Sequence, residues 1–222
     1  QHLGGFGFDM SRFPRGLAFA LGTVEVTPLQ MAEAYTAFAN NGKRVRPYFI
    51  DRIEQEGVGL VYTATPDVTL AITPENRFLM YSMMKDVIDY GTGRRARVLE
   101  RSDLAGKTGT TNDYKDAWFN GFNESVVAIV YVGMDDSTTL GKREEGSRAA
   151  LPAWISYMKE AMKGLPETEP YMPPGIERTE VYAGGSSFEE FIDTTTEPNY
   201  VPEATSAISS INEEPSAVDD LF

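Results

Sequence analysis

Residues Val126–Val132 read Val-Val-Ala-Ile-Val-Tyr-Val, an apolar run without a single charge. A run of that length, rich in β-branched side chains, suits a strand covered on both faces and points to a central position in a sheet. It lies within a strand predicted over Ser125–Gly133. Two more candidates precede it closely, Leu104–Thr111 and Ala117–Phe122. Links this short favour antiparallel neighbours.

Three helices are predicted around these strands. Thr27-Pro28-Leu29-Gln30 has the form of a capping box with Pro at the first helical position. Leu29, Met31, Ala34, Tyr35 and Phe38 then give an apolar face, and Asn41-Gly42 supplies the stop. Thr73-Pro74-Glu75 opens a second helix with Met80, Met83, Met84, Val87 and Ile88 on one side, ending near Gly91. A third runs from about Leu151 to Lys163, with Trp154, Ile155, Met158 and Met162 inward, and closes on Gly164. Between the first two helices, Val45–Ile53 and Leu60–Ala64 flank Glu56-Gly57-Val58-Gly59, a hairpin signal. The fold class expected is α+β, an antiparallel sheet flanked by helices.

The charge separates this body from the end of the chain. Of the net −13, residues 1–163 carry −1 and residues 164–222 carry −12, with Arg178 the sole basic residue of that second stretch. The same stretch holds seven of the 13 prolines, so it has little apolar surface to set against the entropy of ordering. Residues 199–222 are expected to be disordered. The balance also argues against nucleic acid as a partner, since such binders show a basic face. There is no Cys, and the single His is His2, so thiol chemistry, His-dependent triads and two-His metal motifs are not expected, nor is any metal or cofactor. No apolar run approaches the ~20 residues of a membrane span.

Several short matches have plain readings. Gly91-Thr92-Gly93-Arg94-Arg95-Ala96 fits a dinucleotide-binding pattern but follows a helix, where that mechanism needs a strand. Gly106-Lys107-Thr108 resembles the end of a phosphate-binding loop, yet Arg101 stands where its first Gly should be. Arg94, Arg95, Arg97 and Arg101 form a basic cluster that reads as a solvated loop. Ser-x-x-Lys occurs at Ser82–Lys85 and Ser156–Lys159, both on the polar sides of helices, where a protonated Lys cannot act as a base. Ser210-Ile211-Asn212 falls in the acidic tail.

Lys107-Thr108-Gly109-Thr110 differs because it lies within a predicted strand. Gly weakens a strand interior unless something approaches closely there. A Lys and two hydroxyls beside it suit an extended ligand with a carboxylate, added as a further strand. Alternation sets Thr108 and Thr110 on the face opposite Lys107, so a twist or bulge is expected to bring the lysine across. An ordinary edge strand with a surface Lys is the competing reading.

Lys107-Thr108-Gly109-Thr110-Thr111-Asn112-Asp113, followed by Asp116-Ala117-Trp118-Phe119-Asn120-Gly121-Phe122, closely resembles the transpeptidase domain of class A penicillin-binding proteins. Further stretches resemble the 1A type of that class: Leu21-Gly22 through Glu25–Ala32 to Asn40, Gly91–Ala96, Pro174-Gly175-Ile176, Glu189-Glu190-Phe191 and Thr196-Glu197-Pro198. The resemblance implies a peptidoglycan D,D-transpeptidase, a serine acyltransferase that cross-links stem peptides and is acylated by β-lactam antibiotics. Such sites carry Ser-x-x-Lys, then Ser-x-Asn, then Lys-Thr-Gly, and only the third stands at its place here. The chain is therefore expected to be the C-terminal part of that domain (residues 1–164), with a family C-terminal extension (165–198) and the acidic tail. Alone it should be inactive, its partner being the N-terminal part of the same protein.

By the resemblance, Lys107 and Thr110 would be catalytic, Lys107 through electrostatics and proton movement and Thr110 through a backbone oxyanion donor. Thr108, Gly109, Thr110 and Thr111 would line the substrate. The parent protein would work in the periplasm, anchored in the bacterial inner membrane by a segment outside this sequence. A D,D-carboxypeptidase or β-lactamase-like hydrolase, and a non-enzymatic penicillin-binder-like sensor, are the alternatives.

Overall fold

A computed structural model describes residues 2–13, 16, 22, 24–183 and 186–195. The 199–222 tail, Ser210-Ile211-Asn212, Leu21 and Thr196-Glu197-Pro198 lie outside the described residues. The described chain divides into two compact units, Gln1–Pro174 and Gly175–Phe222.

In the first unit, α1 spans Pro28–Ala39 and opens on the predicted reciprocal box. Thr27 Oγ1 accepts Gln30 N–H at 3.2 Å and Gln30 Oε1 accepts Thr27 N–H at 2.9 Å. The short strands β1 (Lys43–Val45), β2 (Arg52–Gln55), β3 (Gly59–Thr63) and β4 (Val68–Leu70) follow, paired β1 with β4 and β2 with β3. The Val45–Ile53 run is thus not one strand: it breaks at Arg46-Pro47, where the proline has no N–H for a ladder. α2 spans Pro74–Asp89, capped by Thr73. After it come β5 (Ala105–Thr110), β6 (Asp116–Phe122) and β7 (Val127–Gly133), then α3 (Leu151–Ala161), entered through a wide turn at Gly146–Ala150.

The three later strands form one antiparallel sheet in the order β5-β6-β7. One face, carrying Ala105, Phe122, Val127 and Ile129, packs on Tyr35 and Ala39 of α1 and Tyr81 and Met84 of α2. The other, carrying Phe119, Ala128, Val130 and Val132, packs on Trp154 and Met158 of α3. The α+β class and the flanked antiparallel sheet are as expected. The position of β7 is not: the apolar run is covered on both faces, but among the described residues it pairs only with β6 and so stands at an edge. Helices on the two faces account for its composition without a second neighbouring strand. Leu29 and Met83, placed on apolar faces by spacing, are exposed, and Arg77, Phe78 and Tyr81 are buried on α2 instead.

Buried polar groups tie this unit together. Asp103, at the entrance to β5, takes two bonds from Arg101 (2.8 and 2.6 Å), one from Asn123 Nδ2 (3.1 Å) and the Thr168 N–H (3.3 Å). Arg101 also donates to the Leu165 and Pro166 carbonyls, fixing the chain that leaves α3. The second unit is a hairpin of β8 (Ile176–Ala183) and β9 (Ser186–Asp193), in register from Ile176 opposite Asp193 to Ala183 opposite Ser186. Among the described residues no helix is long and apolar enough to cross a membrane.

Candidate functional site

β5 carries the Lys-Thr-Gly sequence and, among the described residues, is the outermost strand on its side of the sheet. Its pairing with β6 is unbroken from Ala105 opposite Phe122 to Thr110 opposite Ala117, so the expected bulge is absent. The lysine reaches the strand edge by its own length. Lys107 sits on the α1–α2 face, yet its Nζ donates to the Thr108 carbonyl at 2.8 Å.

The direction of that carbonyl follows from one bond across the ladder. Thr111 N–H donates to the Asp116 carbonyl at 3.1 Å. Backbone groups alternate sides along a strand, so Thr108 and Thr110 present their N–H and C=O groups to the free edge. The Lys107 ammonium therefore lies on that edge as well, beside an outward-pointing Thr110 N–H.

Both edge hydroxyls are held from behind. Thr110 Oγ1 accepts Gly146 N–H at 3.1 Å. Gly146 is buried so close to the strands that a Cβ there would stand 2.2 Å from the Trp118 carbonyl oxygen. Thr108 Oγ1 lies 2.8 Å from Thr92 Oγ1. Thr92 stands between two glycines packed on the end of α2, and a Cβ at Gly93 would meet Ile88 at 2.9 Å and the Val87 carbonyl at 3.1 Å. The Gly91-Thr92-Gly93 pattern is thus explained by packing rather than by phosphate. Arg95 Nη1 donates to the Ser147 carbonyl at 3.4 Å and links the two supports.

The other predicted residues have distinct surroundings. Gly109 lies opposite Trp118, whose Cβ would be 3.2 Å from a Gly109 Cβ, so its missing side chain makes room for Trp118. Thr111 Oγ1 is engaged with Asp116, accepting its N–H at 2.8 Å and bonding its Oδ2 at 3.2 Å. Beneath Lys107, its cross-strand partner Asn120 is buried. Burial pushes the Tyr35 phenol up to about 12, against a lowering hydrogen bond with Asn120, so this floor is uncharged.

Lys85 of the first Ser-x-x-Lys match is paired with Asp89, and Ser156 and Lys159 of the second are exposed. The basic cluster splits, for Arg94, Arg95 and Arg97 are exposed while Arg101 is held in the Asp103 network. Among the described residues no group of three or more His, Asp or Glu side chains is placed to hold a metal ion. A groove of about 410 Å³ lined by Val127–Val130, Ala153 and Tyr157 lies at β7, the opposite edge of the sheet from the threonines. Sequence reasoning missed two residues that support the candidate site, Thr92 and Gly146. The first was legible only as part of a misleading motif, and the second carries no local signal.

A family model described as the penicillin binding protein transpeptidase domain matches residues 14–157, well over half of the chain. Penicillin-binding protein 1A of Neisseria lactamica is 48% identical over 181 residues, 79% of this chain and 23% of that protein. Penicillin-binding protein 1A of Pseudomonas aeruginosa is 37% identical over 279 aligned positions, 98% of this chain and 34% of that protein. The crystal structure of penicillin-binding protein 1A from Haemophilus influenzae superposes with a TM-score of 0.82 at 31% identity, covering 90% of this chain and 37% of that one. The chain thus spans about a quarter to a third of the length of these curated relatives.

Proposed function

The chain belongs to the penicillin-binding protein transpeptidase family, and from that premise we propose that its β5 edge is the carboxylate- and oxyanion-binding side of a peptidoglycan D,D-transpeptidase. One observation carries the reading: two hydroxyls, an outward N–H and an ammonium are gathered on one free strand edge. Thr108 and Thr110 are two residues apart, about 6.7 Å along a strand. Two hydrogen bonds of about 2.7 Å plus the width of a carboxylate cover that spacing. The stem peptide's carboxylate would take both hydroxyl protons and its backbone would run along β5 as an added strand.

The Thr110 N–H would bind the oxyanion as a serine attacks the donor carbonyl. Removing such a donor costs about 10²–10³ in rate. The Lys107 ammonium, close to the same edge, would stabilise the carboxylate and favour proton transfer around the nucleophile. Gly109 keeps Trp118 in place, and Thr111, held by Asp116, closes the end of the strand. The nucleophilic serine and its lysine, in Ser-x-x-Lys, and the Ser-x-Asn motif would come from the N-terminal part of the same protein. β-Lactams would acylate that serine. The parent enzyme would act in the periplasm, held at the inner membrane by a segment outside these residues.

A labelled penicillin tests this. The 222-residue chain alone should form no covalent adduct, whereas the parent protein should be labelled, and Lys107→Ala in the parent should slow labelling by about 10²-fold or more. A stoichiometric adduct on Ser82 or Ser156 would overturn the reading.

A further inference from the structure

We propose that Thr92 is a positioning residue that fixes the direction of the Thr108 hydroxyl proton toward the ligand's carboxylate. The inference rests on the reading of β5 as the carboxylate-binding edge. Each threonine hydroxyl has one proton and two acceptor lone pairs. In the 2.8 Å contact between Thr92 and Thr108 only one of the two can donate. If Thr108 donated, its only proton would be spent inside the protein and its oxygen would face an anion with lone pairs. With Thr92 donating, the Thr108 proton is left for the carboxylate, and the bonds run in one direction from Thr92 through Thr108 to the ligand. Such a chain polarises each bond in it.

The neighbouring hydroxyl shows the same construction with an unambiguous donor. Thr110 Oγ1 accepts from the Gly146 N–H, which cannot accept in return, so the Thr110 proton is free for a ligand. Thr92 does for Thr108 what the Gly146 amide does for Thr110. The loop around Thr92 is built to hold it there. Gly93 N–H donates to the Val87 carbonyl at 2.9 Å and Gly91 N–H to the Asp86 carbonyl at 3.0 Å, while Gly93 itself is buried. A rigid, Gly-flanked segment thus presents one exposed hydroxyl to the edge of β5.

The test uses the parent protein and two ligands, a penicillin with its free carboxylate and the same compound esterified there. The second-order rate of acylation is read for wild type, Thr92→Val, Thr92→Ala and Thr92→Ser, with thermal unfolding followed in parallel. Thr92→Val and Thr92→Ala should slow acylation by the free acid about five- to tenfold, the size of a weakened bond to a charged group. They should change the ester's rate less than about twofold, because no anion is there to take the aligned proton. Thr92→Ser should restore the free-acid rate. Equal losses with both ligands, or no loss with either, would overturn the inference while leaving the transpeptidase reading in place. A wild-type parent that is not acylated at all would overturn that reading, and the inference with it.

Discussion

β6 and β3 are both short antiparallel strands with apolar side chains, but they are surrounded differently. In β6, Ala117, Phe119 and Phe122 are fully buried. In β3, Leu60 is 61% exposed, and Val61 and Tyr62 are exposed beside it. The difference lies in what covers them. β6 is central in its sheet with α1 and α2 on one face and α3 on the other, whereas β3, among the described residues, has β2 alone for a partner. A two-stranded hairpin without a covered face is marginal by itself. Side-chain character therefore does not fix where the stability of this chain resides; the helices on the three-stranded sheet do.

The strongest challenge to that contrast is Trp154→Ala. Trp154 is wholly buried under the sheet, its Nε1 donates to the Ala128 carbonyl at 3.1 Å, and its ring lies 4.9 Å from that of Phe119. Losing it should cost about 3–5 kcal/mol in urea unfolding. A loss below 1 kcal/mol would mean that α3 does not hold this face of the sheet.

Asp103→Asn comes next, at about 1.5–3 kcal/mol, because it removes the charge from a buried set of hydrogen bonds at the entrance to β5. Its pH dependence is a sharper test. Burial raises the Asp103 pKa, but the Arg101 hydrogen bonds and charge, with the Asn123 and Thr168 donors, outweigh it and hold the carboxyl below its ordinary value. A lowered pKa contributes stability above the unfolded value near 4 and loses it as pH falls through the folded value. The gap between wild type and Asp103→Asn should thus be full at neutral pH and close below about pH 4. A gap that stays constant down to acid pH would show that Asp103 does not titrate as a paired carboxylate.

Much of this covered sheet was legible in the residues. Thr27 and Thr73 mark the starts of α1 and α2 through their own side-chain bonds, and the three strand runs differ from β5, β6 and β7 by two residues or fewer. Local signals reach as far as local causes. They could not tell that β7 stands at an edge among the described residues, because cover on two faces and pairing on two sides call for the same apolar run. Nor could spacing tell that Leu29, at the start of α1, would be exposed while Ala34 and Tyr35 on the same face are buried. The candidate site was legible as a strand with Lys107, Thr108 and Thr110, because their order along β5 is local. Its supports were not, since Thr92 and Gly146 reach β5 only through the packing of α2 and the turn before α3. In the second unit the pairing of β8 with β9 was not legible, because the acidic, proline-rich composition around those runs is that of a poorly packed segment.

The smallest effect is expected where the side chains look most like core. Leu60→Ser with Val61→Thr removes two apolar side chains from β3 but leaves its register with β2 and the Gly57 turn intact. Side chains already in water bring little transfer energy to folding, so the double variant should shift stability by less than about 0.5 kcal/mol. The same two changes placed on a covered strand would cost several times more. The urea midpoint of the 222-residue chain is the measurement, taken beside Trp154→Ala so that both strands are read under one condition. A loss above 1 kcal/mol would mean that Leu60 and Val61 are covered in the folded chain. The contrast between the two strands would then be one of neighbours, each strand with its own, and no longer one of burial against exposure.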